Sequence, residues 1–213
     1  MKKYLALLLV LVMLLGVLPA GAAAAEVYQD VPSGHWASDY IARVAEQGLM
    51  VGTSDTTFAP EETITRAMFV TILARYAKAE TDNNAETAFT DVPAGQYYTG
   101  AVAWAAANGI VNGTSAVTFA PNDPVTREQM AAILFRYAQK VGAASAERAD
   151  LSGFPDANAV SDYASDAMRW VVAEGIIGGS REYDGRDWLK PQGSATRAQV
   201  AAILMRYIEN VTK

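Results

Sequence analysis

An all-α fold of three helix–loop–helix repeats is predicted by this sequence, and two observations carry the prediction. A set of glycines, prolines and a Thr-Arg pair recurs between two stretches of the chain and returns, more loosely, in a third. After each Thr-Arg pair the apolar residues fall at i, i+3, i+4 and i+7, which is one face of a helix.

The first copy runs from Asp30-Val31-Pro32 through Gly48, Gly52, Phe58 and Pro60 to Ile64-Thr65-Arg66. The second matches it residue by residue: Asp91-Val92-Pro93, Gly109, Gly113, Phe119, Pro121 and Thr126-Arg127. The third begins at Asp156, passes Gly175 and Gly179, and closes on Pro191 and Thr196-Arg197. Its loop from Gly179 to Pro191 is longer than its counterparts, and Asp184-Gly185 within it reads as a turn. The repeats occupy residues 26–80, 86–142 and 151–213.

The first helix of each copy ends at a glycine, the usual residue just past a helix C-terminus. Its core positions are Ile41, Val44 and Ala45, then Val102, Ala105 and Ala106, then Met168, Val171 and Val172. The second helix presents Phe69, Ile72, Leu73 and Tyr76, then Met130, Ile133, Leu134 and Tyr137, then Val200, Ile203, Leu204 and Tyr207. One such pair cannot bury its apolar face alone, whereas three can bury theirs together. The expectation is a pseudo-three-fold helical bundle rather than an open solenoid.

Residues 1–25 read as a signal peptide. Lys2 and Lys3 precede the apolar run Leu5 to Leu18, and the small residues Ala22 to Ala25 follow, with cleavage expected after Ala25. The run is short for a membrane span, so no membrane association is expected after cleavage. The chain has no cysteine, which excludes disulfides and a lipid-modified N-terminus. Its net charge is −6, and loss of Lys2 and Lys3 with the leader deepens it to −8. That balance argues against nucleic acid as a partner.

Chemistry concentrates at the start of each second helix. Thr65, Thr126 and Thr196 sit at N-cap positions, and Gln129 and Gln199 complete capping boxes that Met68 cannot. Arg66, Arg127 and Arg197 then occupy the first helical position, where the helix dipole disfavours a cation. Two readings account for a misfit placed three times. Each Arg pairs with a carboxylate such as Asp30, Asp91 or Asp156, or each Arg joins free backbone N–H groups in an anion site. Trp36, Tyr97 and Tyr163 recur near the start of each first helix, where a flat ring suits either packing or the apolar face of a sugar. Trp104 and Trp170 read as core.

No catalytic set emerges. His35 is the only histidine, no Ser/His/Asp pattern or phosphate-binding glycine loop is present, and no two carboxylates stand out as an acid–base pair. The chain is expected not to be an enzyme and to need no cofactor or metal.

The combination F-x-D-V-P, N-G-I-V-N-G (108–113), T-F-A-P (118–121) and V-T-R-E-Q (125–129) resembles the S-layer homology (SLH) repeat. The resemblance covers nearly all of the chain after residue 25. It implies a three-pronged helical bundle with ligand grooves between repeats, secreted to the cell wall and cell surface. The implied partner is secondary cell-wall polysaccharide, or another peptidoglycan-linked polymer, often bearing pyruvylated and hence anionic sugars. The ligand-binding residues it implies are Arg66, Arg127 and Arg197, Asp30, Asp91 and Asp156, and Trp36, Tyr97 and Tyr163. Repeats of this kind usually carry cargo, so the alternative is an interaction module that recruits a cell-surface protein or joins a surface layer. Met68, Glu128, Leu189 and the enlarged third loop depart from the pattern, so the grooves are not expected to bind equally.

Overall fold

A computed structural model describes residues 28–212; the expected signal peptide over residues 1–25 and its expected cleavage site lie outside the described residues. Among the described residues six α-helices form, two to each repeat. They are α1 (Ser38–Glu46), α2 (Arg66–Tyr76), α3 (Thr99–Ala107), α4 (Arg127–Lys140), α5 (Ser165–Ala173) and α6 (Arg197–Val211). None is long and apolar enough to cross a membrane.

The local signals act where the sequence puts them. Gly48, Gly109 and Gly175 adopt positive φ and end α1, α3 and α5. The following amide folds back onto the helix: Leu49 N donates to Val44 O, Ile110 N to Ala105 O and Ile176 N to Val171 O. Only a residue without a Cβ takes that left-handed corner freely. The second helices start on their threonines. Thr126 and Thr196 form full capping boxes with Gln129 and Gln199, while Thr65 caps Met68 N alone. Replacing Thr126 with Ala removes that cap, and the expected cost is about 1 kcal/mol in a denaturant titration.

Helices of 9 residues, as α1, α3 and α5 are, are too short to stand alone in water and need a partner. Each finds it in another repeat. The α3 helix packs on α2, α5 on α4, and α1 on α6. The last pairing joins the ends of the chain, so the body closes on itself instead of running as an open solenoid. The segments ahead of the second helices close in the same cyclic order. Val125 N donates to Ile64 O at 3.0 Å, Ala195 N to Val125 O at 3.1 Å, and Ile64 N to Ala195 O at 3.2 Å.

The expected core faces are buried. Ile41, Val44, Val102, Ala105, Met168 and Val171 lie inside, while Ala45, Ala106 and Val172 pack at its edge. The faces of the second helices converge so that Tyr76, Tyr137 and Tyr207 meet, ring centroids 5.9–6.2 Å apart. Trp170 is wholly buried against Phe135, and Trp104 packs half-buried on Tyr137. Both are core residues, as their positions predicted. The enlarged third loop is more ordered than a bare turn. Ser180–Arg181 and Asp187–Trp188 pair as an antiparallel hairpin, with Asp184 accepting from Arg186 N and Trp188 Nε1 across its tip.

Candidate functional site

The Asp that opens each repeat is the first structural element of the site. Asp30 accepts hydrogen bonds from the backbone N–H of Phe58 (2.8 Å) and Ala59 (2.7 Å). Asp91 does the same for Phe119 and Ala120, and Asp156 for Leu189 and Lys190. The second residue of each pair has positive φ: Ala59 at 58°, Ala120 at 59° and Lys190 at 50°. A conformation disfavoured for a residue with a Cβ is thus held by a carboxylate on its amide. Burial pushes the Asp30 and Asp91 carboxyls up. The amides they accept from, together with Arg197 and Arg66 respectively, outweigh it and bring both below the ordinary value.

The arginines take up the other side of the same peptides. Arg66 Nε donates to Phe119 O (2.8 Å), Arg127 Nε to Leu189 O (2.7 Å) and Arg197 Nε to Phe58 O (2.6 Å). Arg66 and Arg197 also lie over the rings of Phe119 and Phe58, a contact that Leu189 cannot offer Arg127. Each Arg therefore reaches into the next repeat, and the last reaches back to the first. Among the described residues none of the three forms an ion pair with a carboxylate. The Asp–Arg relation is real but indirect, running through one peptide group.

The expectation of free N–H groups at the helix start is not met. Arg66 N donates to Asp123 O and Ala67 N to Pro121 O; Arg127 N donates to Gly193 O and Glu128 N to Pro191 O. Arg197 N and Ala198 N likewise donate to Glu62 O and Pro60 O. The threonine side chains occupy the third donor. Any anion here must be held by guanidinium groups, because the helix has no amide left to offer.

Those guanidinium groups line three grooves, each assembled from three repeats. Groove A has Arg66 from the first repeat, Asn112–Thr114, Gln129, Ala132, Ile133 and Arg136 from the second, and Tyr163 from the third. Groove B takes Arg127, then Gln199, Ala202, Ile203 and Arg206, and Trp36. Groove C takes Arg197, then Met68, Thr71, Ile72 and Arg75, and Tyr97. The lining positions correspond from groove to groove. The aromatic wall is exposed in all three, at 56 % for Trp36, 55 % for Tyr97 and 54 % for Tyr163, so these rings are not core.

The second arginine of each groove, Arg75, Arg136 and Arg206, was not singled out from the sequence. Its signal was present, since all three follow the Thr-Arg arginine at the same distance. The first arginine is the unusual member. Arg66 and Arg127 are only 5 % and 6 % exposed, and burial lowers the pKa of both and of Arg197. An arginine keeps its proton regardless. Each of the three is held by backbone carbonyls and lies near carboxylates it does not touch, so its remaining N–H groups can donate to an anion in the groove.

The grooves differ in size and polarity. Cavity volumes are about 410 Å³ for A, 550 Å³ for B and 120 Å³ for C. In C, Arg197 Nη2 donates to Val51 O at 2.6 Å, where Arg66 of A reaches the equivalent Asn112 O at 3.5 Å, and Met68 stands where A and B have glutamine. In B, the hairpin adds Ser180 and Arg181 to the wall, and Glu61 faces His35 Nε2 at 3.5 Å. The remaining sites assigned by resemblance, Asp30, Asp91 and Asp156, do not line the grooves and have both oxygens on backbone amides.

Residues 27–68, 88–131 and 153–201 match the S-layer homology domain. The chain is 34 % identical over 190 residues to the surface-layer 125 kDa protein of Lysinibacillus sphaericus, covering 89 % of this chain and 16 % of that one. It is 29 % identical over 208 residues to the S-layer protein sap of Bacillus anthracis, with 96 % and 24 % covered. A similar stretch, 31 % identical over 184 residues, occurs in an amylopullulanase of Thermoanaerobacterium thermosulfurigenes, with 86 % and 10 % covered. The chain thus spans no more than about a quarter of the length of these relatives.

Proposed function

This chain belongs to the S-layer homology domain family, and on that premise we propose that it is an exported, non-catalytic module that holds non-covalently to cell-wall polysaccharide. The shared region occurs in proteins named as surface-layer proteins and in one named as an amylopullulanase. What the region supplies is therefore common to proteins of different activity, which suits attachment better than catalysis.

One observation carries the reading: each groove sets two arginines against an exposed aromatic ring. A guanidinium pair suits a carboxylate, and a ring suits the apolar face of a pyranose. An anionic sugar, such as one bearing a pyruvyl ketal, presents both at once. The grooves lie about the body in cyclic order, so one chain can engage several repeat units of a polymer, and linked weak contacts then act together. The large apolar residues exposed outside the grooves, Val117, Val141 and Tyr183, lie on separate segments. Nothing in that distribution favours a protein-docking face over wall binding.

The test is sedimentation of the domain, residues 26–213, with purified cell walls. It is expected to pellet with intact walls and to stay in solution once the non-peptidoglycan polymer has been chemically stripped. Equal pelleting with stripped walls would show that the polymer is not the ligand. No pelleting with any wall fraction would remove the anchoring reading altogether.

A further inference from the structure

Glu128 is a buried carboxylate at a position where the other two repeats have alanine, Ala67 and Ala198. It is one of the departures from the family pattern, and in sequence it places a negative charge beside Arg127. Its side chain is 2 % exposed and lines neither groove A nor groove B. It turns toward the third repeat. Oε1 accepts from Tyr163 Oη at 2.8 Å and from Ser161 Oγ at 2.9 Å, and Oε2 accepts from Ser161 N at 3.0 Å. Gln192 Nε2 braces the same serine with a hydrogen bond to its Oγ.

Tyr163 is the aromatic wall of groove A, and this contact sets it apart. Its ring is exposed like those of Trp36 and Tyr97. Its hydroxyl is tied to a fixed acceptor, whereas among the described residues Trp36 and Tyr97 make no side-chain hydrogen bond. The local chain explains the need. Tyr163 lies one residue farther from its repeat's Asp than Trp36 and Tyr97 do from theirs, and the chain there folds as two 3-10 turns, Ala157–Ala159 before it and Asp162–Ala164 around it. The extra residue is taken up in those turns, and two points are then anchored, the segment at Ser161 and the hydroxyl of Tyr163. Glu128 holds both.

We propose that Glu128 is a positioning residue that fixes Tyr163 across from Arg66 and Arg136, making groove A the pre-organised, tightest site for a single anionic sugar. The proposal rests on the groove reading above and adds a rank order to it. A wall fixed before binding loses no rotamer freedom when the sugar arrives, which is worth roughly three- to tenfold in affinity for one side chain. In grooves B and C, Trp36 stacks on His35 and Tyr97 meets Tyr98 edge-on, but neither ring has a hydrogen-bonded tether. The carboxylate stays behind the ring, so its charge does not face the ligand.

The test isolates groove A by replacing Arg75 and Arg206 with alanine, then titrates this parent with soluble polymer released from purified walls. Onto it go Glu128→Ala, Tyr163→Phe, both together, and Tyr163→Ala. Glu128→Ala and Tyr163→Phe are each expected to weaken binding roughly three- to tenfold, and the pair no further than either alone. Tyr163→Ala, which removes the ring, is expected to weaken it more. Tyr163→Phe keeps the ring and the fold, so an unchanged affinity in that variant overturns the positioning role. Losses that multiply in the double variant overturn it too, because they would mean that Glu128 acts elsewhere. A parent that fails to bind, or a Tyr163→Ala variant that binds like the parent, overturns the proposal by showing that groove A is not a site.

Discussion

Sedimentation with purified walls is expected to fall below detection when Arg75, Arg136 and Arg206 are all replaced by alanine, while the domain stays folded. These are the arginines to remove first. Arg66 and Arg127 are buried, and Arg66, Arg127 and Arg197 each donate through Nε to the next repeat, so their loss confounds binding with folding. Arg136 makes no hydrogen bond or ion pair among the described residues, and Arg206 makes one long hydrogen bond of 3.4 Å to Tyr40 Oη and lies over that ring. Arg75 is exposed, with a single bond to Leu49 O. Truncation of such exposed or partly buried side chains is expected to cost about 1 kcal/mol or less per site. A charge-assisted contact to a carboxylate is worth about 1.5–3 kcal/mol, or roughly ten- to a hundredfold in each groove. Losses in grooves that share one polymer compound, because each bound groove raises the effective concentration for the next. A folded triple variant that pellets like wild type would remove the arginine pair from the mechanism.

These arginines also mark the boundary of what the sequence made legible. Whatever depends on one segment could be read directly. Thr65, Thr126 and Thr196 cap the helices they were expected to cap, Gly48, Gly109 and Gly175 end theirs, and the i, i+3, i+4, i+7 residues form the core. Whatever depends on a partner in another repeat could not. The helix N-termini looked free because their acceptors, Pro60, Pro121, Pro191 and their neighbours, belong to a different repeat. Asp and Arg looked like an ion pair because both recur, yet they meet only through the Phe58, Phe119 or Leu189 peptide. The groove is a product of three repeats at once. Reading each repeat alone shows its Arg, its ring and its helix, but in the fold these go to three different grooves. Glu128 is the sharpest case: beside Arg127 in sequence, it acts on groove A.

The indirect Asp–Arg link implies a large stability effect with a definite pH dependence. Asp91 holds two amides, one of them on Ala120 in its left-handed conformation, and the same loop's Phe119 carbonyl receives Arg66. Asp91→Ala leaves both amides without their acceptor and lets the loop relax away from Arg66. Hydrogen bonds to a charged group contribute about 1.5–3 kcal/mol, and both amides lie on a partly solvated loop, so the expected loss at neutral pH is about 2–3 kcal/mol. The carboxyl pKa is lower in the folded protein than in the unfolded chain, where it lies near 3.9. The stabilisation is then fully present above the unfolded value and is lost as pH falls through the folded one. Urea unfolding of wild type and Asp91→Ala should therefore show a gap that is constant from about pH 7 down to about pH 5 and narrows toward about pH 2. Asp91→Asn, which keeps one carbonyl acceptor but no charge, should fall between the two at neutral pH. A gap between wild type and Asp91→Ala that is the same at both ends of the range would mean that the carboxylate charge does not hold the loop. The link from Asp91 through Phe119 to Arg66 would then be steric rather than electrostatic.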